Sequence, residues 1–391
     1  MPHPLAVAIE IATTLLTLAG IGYLFAAWIA AQLFLRERRH TQPAFTPGVS
    51  ILKSLKGLDP GMLDAFRSHC RQTYTGPCEL LFGVSSLSDP AAAAVLELKK
   101  EFPTHAIRLI ECPLQLGSNG KVSTLMQLVP HAQHEYLLVN DSDITVTPHY
   151  LERILAGFAQ PSHDQRPVGL VTALYRGRAH GTLPSLLEAL TIATDFQPSV
   201  LMAKGLERGL HYGLGSTLAV RRDALDAIGG FAALSDQLAD DYELGARIDR
   251  TGFRIVLSTE VVETSVPAYP WRGFVDHQLR WMRTVRDARP GGYIGLVFTH
   301  AFGWALLNVI ASGLSPLSLW LLGLCFFLRL TLAMTVGAVI LADHQVLPAL
   351  WLLPLRDLVT MGLWAAGFAG DTIVWRGQRF HVRKGRLHPA N

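Results

Sequence analysis

The feature that most constrains this chain is an almost uninterrupted apolar run, Leu5 to Leu35, in which Glu10 is the one charged residue. The run exceeds the roughly 20 residues that an α-helix needs to cross a bilayer. Its start carries no Lys or Arg, and no clear small-residue cleavage site follows, so a permanent anchor is favoured over a signal peptide. Three arginines lie among residues 36–39, and the positive-inside rule then places the following residues in the cytoplasm.

The last hundred residues are also apolar, with plausible spans over Ile294–Gly313, Ser315–Ala342 and Leu347–Ala369. Three full spans after a cytoplasmic domain would put the basic tail, residues 371–391, on the outside, against the positive-inside rule. The third segment also contains an Arg-Asp pair at 356–357, and such groups are expensive in lipid. We therefore expect the third segment to be re-entrant or interfacial.

Composition agrees with a membrane protein that carries one globular domain. Half of the 391 residues are hydrophobic and only 17% are charged, which is too apolar for an ordinary soluble enzyme. The net charge of +3 is too small to indicate a nucleic-acid partner. The four cysteines form no C-x-x-C pair, which fits a reducing cytoplasmic location.

Between the apolar ends, predicted strands alternate with predicted helices. This alternation is typical of an α/β fold with a parallel, doubly wound sheet. The predicted strands are Val49–Lys53, Glu79–Val84, Ile107–Ile110, 136–141, Val168–Tyr175, Thr217–Val220 and Ile255–Val262.

One of these strands ends in a pair of acids. Tyr136–Val139 is apolar and is followed by Asn-Asp-Ser-Asp, which contains Asp141 and Asp143. Open α/β sheets bind ligands at the carboxyl ends of their strands, and paired carboxylates there suit Mg²⁺ or Mn²⁺ bridged to substrate phosphates. The alternative is a turn in which both side chains only accept hydrogen bonds from backbone amides.

Two further segments carry candidate chemistry. Asp241 lies in an acidic helix start, where carboxylates can also act simply as partners of the helix dipole. The segment Gly117–Lys121 looks like a phosphate-binding loop, but it fails the G-x-x-x-x-G-K-[ST] spacing, so an NTPase is rejected.

The segment Trp271–Arg289 is amphipathic and basic, and His277, Arg280 and Trp281 share one face of the predicted helix. It can be an interfacial helix lying on anionic lipid. It can also bring a cation and an indole over a phosphate-bearing substrate, and one helix can do both.

Taken together, these motifs resemble those of membrane-bound family-2-like glycosyltransferases, more narrowly the ceramide glucosyltransferase family, and most closely its bacterial branch associated with hopanoid biosynthesis. The resemblance rests on the order and spacing of several short motifs. These are residues 55–60, 88–91, 120–123, 140–144, 239–242 and 277–281. His277 replaces the usual Gln, and Asp143 is present where eukaryotic members tend to lack the second acid. Lys121, residues 174–177 and residues 280–286 favour the hopanoid branch.

The resemblance implies a GT-A domain, which binds a nucleotide sugar, and an inverting transfer. It implies Asp241 as general base, Arg280 against the diphosphate and Trp281 over the acceptor or sugar. It also implies a donor site that includes Lys121 and His277. The other implied donor residues are Asp89 at the uracil end and Asp141 and Asp143, which would also hold Mg²⁺ or Mn²⁺.

The expected organisation is an anchor over 1–39, a catalytic domain over 40–270, an interfacial helix over 271–292, a membrane region over 293–370 and the basic tail. The expected reaction transfers N-acetylglucosamine from a UDP-sugar to a hopanoid polyol. This would take place at the cytoplasmic side of a bacterial inner membrane. The alternatives are glucosylation of ceramide, a processive polysaccharide synthase, and a non-catalytic membrane scaffold with a GT-A domain.

Overall fold

The computed structural model describes residues 4–40, 43–161, 165–375, 378–383 and 385–389. The tail residues Arg376 and Lys384 therefore lie outside the described part. The chain divides into two compact units. The helical unit contains residues 1–37, 179–206 and 268–378, and the sheet unit contains residues 38–178, 207–267 and 379–391. The predicted domain over 40–270 thus contributes residues 179–206 to the helical unit.

The helices and strands of the described residues are numbered here in chain order. The α-helices are α1 (Pro4–Glu37), α2 (Met62–Cys70), α3 (Pro90–Glu101), α4 (Gly120–Leu128), α5 (Tyr150–Ala156), α6 (Leu183–Thr191), α7 (Gln197–Leu206), α8 (Arg222–Ala227), α9 (Asp240–Arg250), α10 (Trp271–Ala288), α11 (Pro290–Gly295), α12 (Ala301–Ala311), α13 (Pro316–Ala333), α14 (Val346–Ala349) and α15 (Leu353–Gly367). The strands are β1 (Val49–Ser54), β2 (Cys78–Val84), β3 (Ala106–Glu111), β4 (Tyr136–Val139), β5 (Val168–Ala179), β6 (Leu218–Arg221), β7 (Arg254–Val266), β8 (Thr372–Trp375), β9 (Gln378–Arg383) and β10 (Arg386–Pro389).

The sheet unit is built on a seven-stranded sheet with the order β3-β2-β1-β4-β6-β5-β7. Strands β3, β2, β1 and β4 pair in parallel, but β6 runs antiparallel to both β4 and β5. The expectation of a parallel sheet was therefore wrong for the part of the sheet around β6. An apolar run shows that a strand is buried but not in which direction its neighbour runs.

The central strands are buried on both faces, which explains why they read as continuous apolar runs. The first five residues of β1 and all four residues of β4 are buried. Leu52 of β1 pairs with Val139 of β4, so the residues that follow both strands emerge at the same edge. This edge carries the predicted acids.

The helical unit contains the apolar segments. Among the described residues, three helical segments are long and apolar enough to cross a membrane: Pro4–Glu37, Pro316–Ile340 and Val346–Gly367. A fourth candidate, Pro290–Thr299 with Ala301–Ala311, is bent by 55°. The uninterrupted span expected over residues 294–313 is thus two helices that meet at His300.

The charges expected to be expensive in the third apolar segment are paired inside the helical unit. Asp357 accepts hydrogen bonds from Arg329 Nε at 3.0 Å and Arg356 Nη1 at 2.5 Å. Arg356 Nη2 also lies 2.6 Å from Asp195 Oδ2. Two arginines and two aspartates therefore balance one another, which is the usual condition for ionised groups at membrane depth.

Candidate active site

The two acids that follow β4 have different partners. Asp141 keeps a side chain that is 45% exposed, and its Oδ1 lies 2.7 Å from Lys121 Nζ. The Oδ2 atom of Asp143 instead accepts hydrogen bonds from Thr264 Oγ1 at 2.6 Å and from the Ser265 amide at 2.8 Å. Asp143 thereby ties the turn after β4 to strand β7, whereas Asp141 faces the ionised groups described next.

Asn140 and Ser142, which precede these two acids, hold the turn in place. The buried Asn140 amide donates to Tyr150 Oη at 2.9 Å and to the Ser216 carbonyl at 2.7 Å. Ser142 donates to the Asp59 carboxylate. These contacts fix the backbone, so the turn is built from side chains as well as from backbone amides.

Lys121 lies between Asp141 and the acids at the start of α9. Its Nζ atom is 3.8 Å from Asp240 Oδ2, in addition to its contact with Asp141. Burial opposes the charge of Lys121, but Asp141, Asp240 and Asp241 outweigh it and raise the lysine's pKa. Asn119 supports the arrangement, because it caps α4 at Val122 N and donates to Asp240 at 3.3 Å. Lys121 therefore stays charged and offsets part of the negative charge at this edge of the sheet.

Asp241 is the carboxylate in this cluster that is suited to proton transfer. Burial, followed by repulsion from Asp240, raises the pKa of Asp241 to about 6, against the attraction of Lys121. One of its oxygens accepts a hydrogen bond from the Tyr242 amide at 2.8 Å. A simple partner of the helix dipole would have a lowered pKa. The raised value instead gives a base matched to neutral pH.

The glycine-rich loop at residues 212–216 packs against Asp241. A Cβ atom on Gly215 would lie 2.8 Å from Asp241 Oδ2, and one on Gly213 would lie 2.8 Å from the Asp241 carbonyl. The loop therefore consists of glycines where it contacts α9.

Sequence reasoning missed Lys53, the last fully buried residue of β1. Its Nζ donates to the Asp141 carbonyl at 3.0 Å. Burial lowers the pKa of Lys53 to about 7, although Asp143 and Asp141 oppose the shift. A lysine inside an otherwise apolar strand was the available signal, since a buried ammonium requires a partner.

Asp89 lies at the N-cap of α3. One oxygen accepts a hydrogen bond from Ala91 N at 2.9 Å, and the carboxylate also accepts from Gly57 N at 3.0 Å. The side chain thus holds the loop after β1 against α3. Its expected role at the uracil end of a donor is not tested by these contacts.

The remaining predicted residues, His277, Arg280 and Trp281, belong to α10 in the helical unit. The Nδ1 atom of His277 lies 3.0 Å from Glu188 Oε2, and its ring is 5.3 Å from that of Trp281. Trp281 in turn lies 6.3 Å from Phe196. The shared helix face predicted for these residues is present, and Glu188 is a partner that sequence reasoning missed.

The carboxylates fit a divalent metal that takes most of its ligands from a substrate. Across the described parts of the chain, no group of three or more His, Cys, Asp or Glu side chains is arranged to hold a metal. Burial and then Asp141 raise the pKa of Asp143, and a cation shared by the two acids would relieve that repulsion. Mg²⁺ and Mn²⁺ commonly bind through one or two carboxylates and phosphate oxygens.

Comparison with known proteins places this geometry in context. The family model described as glycosyl transferase family 21 matches residues 12–388. The chain is 23% identical over 394 residues to ceramide glucosyltransferase 3 of Caenorhabditis elegans, covering 95% of this chain and 82% of that protein. It is 24% identical over 276 residues to ceramide glucosyltransferase 1 of the same organism, covering 69% of this chain and 58% of that protein.

A solved structure resembles the fold over nearly its full length. It is the mannosyltransferase PcManGT from Pyrobaculum calidifontis in complex with GDP-Man and Mn²⁺, with a TM-score of 0.53 and 20% identity. The match covers 93% of this chain and 97% of that one. At this identity the likeness concerns the fold, and it confirms the predicted α/β GT-A architecture accompanied by apolar helices.

Proposed function

The chain belongs to glycosyl transferase family 21 and is a sugar-transferring enzyme, and from that premise we propose that it transfers a sugar from a UDP-sugar to a hydroxyl of a membrane lipid. One observation carries the chemistry. Asp241 is a carboxylate whose pKa is raised to about 6, and it lies beside Lys121 and the acids at the sheet edge. Such a group can accept the proton of a hydroxyl nucleophile at neutral pH.

In this proposal, Asp241 removes the proton from the acceptor hydroxyl as that oxygen attacks the anomeric carbon. The bond to the diphosphate breaks on the opposite face, so the configuration inverts. Lys121 holds Asp141 at 2.7 Å and offsets part of the negative charge of the donor-binding edge. The same edge would bind the donor through Asp141 and Asp143, with Asp89 assigned to the uracil end.

Charge on the leaving diphosphate must be stabilised as the bond breaks. A Mg²⁺ or Mn²⁺ ion held by Asp141 and Asp143 would supply part of this stabilisation. We assign the remainder to Arg280 of α10, since a guanidinium suits phosphate oxygens. Trp281 is assigned to packing over the acceptor or the sugar.

The acceptor is assigned to the membrane because of the helical unit. Three segments long and apolar enough to span a bilayer would have no purpose for a soluble acceptor. The arginines after α1 favour a catalytic unit on the cytoplasmic side, and we place the enzyme in a bacterial inner membrane. The third apolar segment remains proposed as re-entrant or interfacial, because three full spans would still leave the basic tail outside.

Two lipid classes compete as the acceptor. The motifs that resemble the hopanoid branch support a hopanoid polyol with UDP-N-acetylglucosamine as donor. The names of the curated relatives support glucose transfer to ceramide instead. Lys121, residues 174–177 and residues 280–286 are the parts of the sequence that favour the first class over the second.

The test offers the purified enzyme both donors and both lipid classes, and identifies the products by mass and anomeric configuration. N-acetylglucosaminyl hopanoid with inverted configuration is the expected product. Glucosylceramide without glycosylated hopanoid would replace the preferred acceptor by the second one. Retention of configuration would overturn the assignment of Asp241 as the base in a direct displacement.

A further inference from the structure

Glu188 is a buried acid on α6 that the mechanism above does not use. It is 3% exposed and lies in the helical unit together with α10. Its Oε2 atom is 3.0 Å from His277 Nδ1 and accepts a hydrogen bond from Gln278 Nε2 at 3.0 Å. A buried carboxylate with these two neighbours on one helix constrains the conformation of both.

This contact fixes how the His277 ring can be used. A carboxylate oxygen accepts hydrogen bonds, so Nδ1 carries the hydrogen and donates it to Glu188. In the neutral imidazole, Nε2 then has its lone pair available and acts as an acceptor. Within the described residues, Nε2 has no hydrogen-bond partner, and the side chain is 21% exposed. The nitrogen is therefore oriented and reachable.

Two aromatic side chains lie next to the His277 ring. Tyr269 stacks on His277 with ring centroids 5.4 Å apart and planes 27° apart, and Trp281 lies 5.3 Å away on the same helix. An accepting nitrogen between aromatic rings suits a hydroxyl on an apolar molecule. It does not suit a diphosphate, whose oxygens also only accept while the imidazole is neutral.

We propose that Glu188 is a positioning residue that orients His277, so that His277 Nε2 accepts a hydrogen bond from a hydroxyl of the lipid acceptor. This inference rests on the proposed function, and it moves His277 from the donor side, where its motif placed it, to the acceptor side. His277 is then a determinant of the acceptor.

The experiment is a double-mutant cycle on the full chain in detergent–lipid micelles, with whichever lipid the wild type glycosylates. Glu188→Met keeps the length but removes the acceptor oxygen, and it should raise the acceptor KM about tenfold, the size of one hydrogen bond lost from binding. Donor KM should stay within about twofold. Glu188→Gln, which keeps an acceptor oxygen, should restore most of the acceptor affinity.

His277→Ala should raise the acceptor KM by a similar factor, and adding Glu188→Met to it should have no further effect on that KM. Glu79→Met is the matched control. Glu79 is also a buried acid, 3% exposed, with hydrogen bonds from Ser50 Oγ and Gln133 N at 2.6 Å. This control should lower thermal stability without changing the acceptor KM.

Three outcomes would overturn the proposal. Equal effects of Glu188→Met with and without His277 would show a purely structural role. A change in donor KM instead of acceptor KM would place His277 on the donor. If Glu188→Met does not fold, an unchanged acceptor KM in His277→Ala is sufficient to reject it. Failure of the proposed function would be distinguishable, because the wild type would then glycosylate no lipid at all.

Discussion

At the scale of single residues, the central group is Asp241, and its pKa of about 6 gives a pH dependence. As the proposed base, Asp241 must be ionised, so kcat/KM should rise as pH rises through about 6 and level off above it. Asp241→Asn keeps the shape without the base, and kcat should fall roughly 10²–10⁴-fold. Steady-state rates from pH 5 to 8 would check both. A loss of less than about tenfold would remove Asp241 from the role of base.

The raised pKa of Asp241 also predicts how the stability of the protein changes with pH. The folded-state pKa of Asp241 lies above the usual value of 3.8, so the folded state binds the proton more tightly than the unfolded state. The stabilisation is present at low pH and is lost as pH rises through about 6. Asp241→Asn should therefore unfold at a higher temperature than wild type at pH 8, with the difference shrinking toward pH 5.

Gly215 is the second residue with a specific consequence. A methyl group there would lie 2.8 Å from Asp241 Oδ2, so Gly215→Ala should displace the carboxylate and lower kcat by about tenfold or more. The matched control is Gly209→Ala, in which the nearest atom would be 4.0 Å away. Equal activity in both variants would show that the carboxylate needs no such space.

The sequence was sufficient to find residues whose side-chain type alone indicates their chemistry. The Asp141, Asp143 and Asp241 carboxylates were predicted at a strand end and a helix start, and they lie there. Lys53, Gly215 and Glu188 were missed because their importance depends on what lies opposite them. Each of these residues matters because of a contact with another residue: Lys53 with Asp141, Gly215 with Asp241, and Glu188 with His277. Hydrophobic periodicity does not show which residues contact one another.

At the scale of elements, the contact between the turn after β4 and strand β7 orients Asp143, a proposed metal ligand. Asp143 is held by Thr264 at 2.6 Å. We expect Thr264→Val to weaken the benefit of added Mn²⁺ and Asp143→Ala to abolish it, because the carboxylate loses its orientation in the first and is absent in the second. Mn²⁺ titration of activity measures both.

Thr264→Ser keeps the hydroxyl and is the control for this pair, so its Mn²⁺ dependence should match that of the wild type. An unchanged metal response in Asp143→Ala would assign the metal to other residues or remove it from the mechanism.

Sequence patterns predicted the positions of the elements better than strand direction or helix type. The strands from β1 to β7 were found close to their observed bounds, but the antiparallel placement of β6 was not. Helices α6 and α7 are joined by a π-helical turn, Ile192–Phe196. In this turn, Asp195 forms an ion pair with Arg356, and the ring of Phe196 packs near that of Trp281. Apolar periodicity does not record such a change in helical pitch.

At the scale of the whole molecule, the buried charge network of the helical unit has a predicted structural role. Asp357 contacts two arginines, Arg329 and Arg356. Asp357→Asn would leave an unbalanced buried charge and should destabilise the protein by about 3 kcal/mol or more. Thermal unfolding in detergent tests this.

The control is Asp64→Asn, in which an aspartate that is 79% exposed loses its contact with Arg67 and little change is expected. If Asp357→Asn unfolds at the wild-type temperature, the network does not stabilise the helical unit.

The proposed acceptor is a membrane lipid, and mass spectrometry of lipids from cells with and without this protein tests this most directly. We predict that an N-acetylhexosamine-bearing hopanoid disappears when the protein is removed. It should return with the wild-type chain but not with Asp241→Asn. A lipid profile that does not change on removal would contradict the claim that this enzyme glycosylates a membrane lipid.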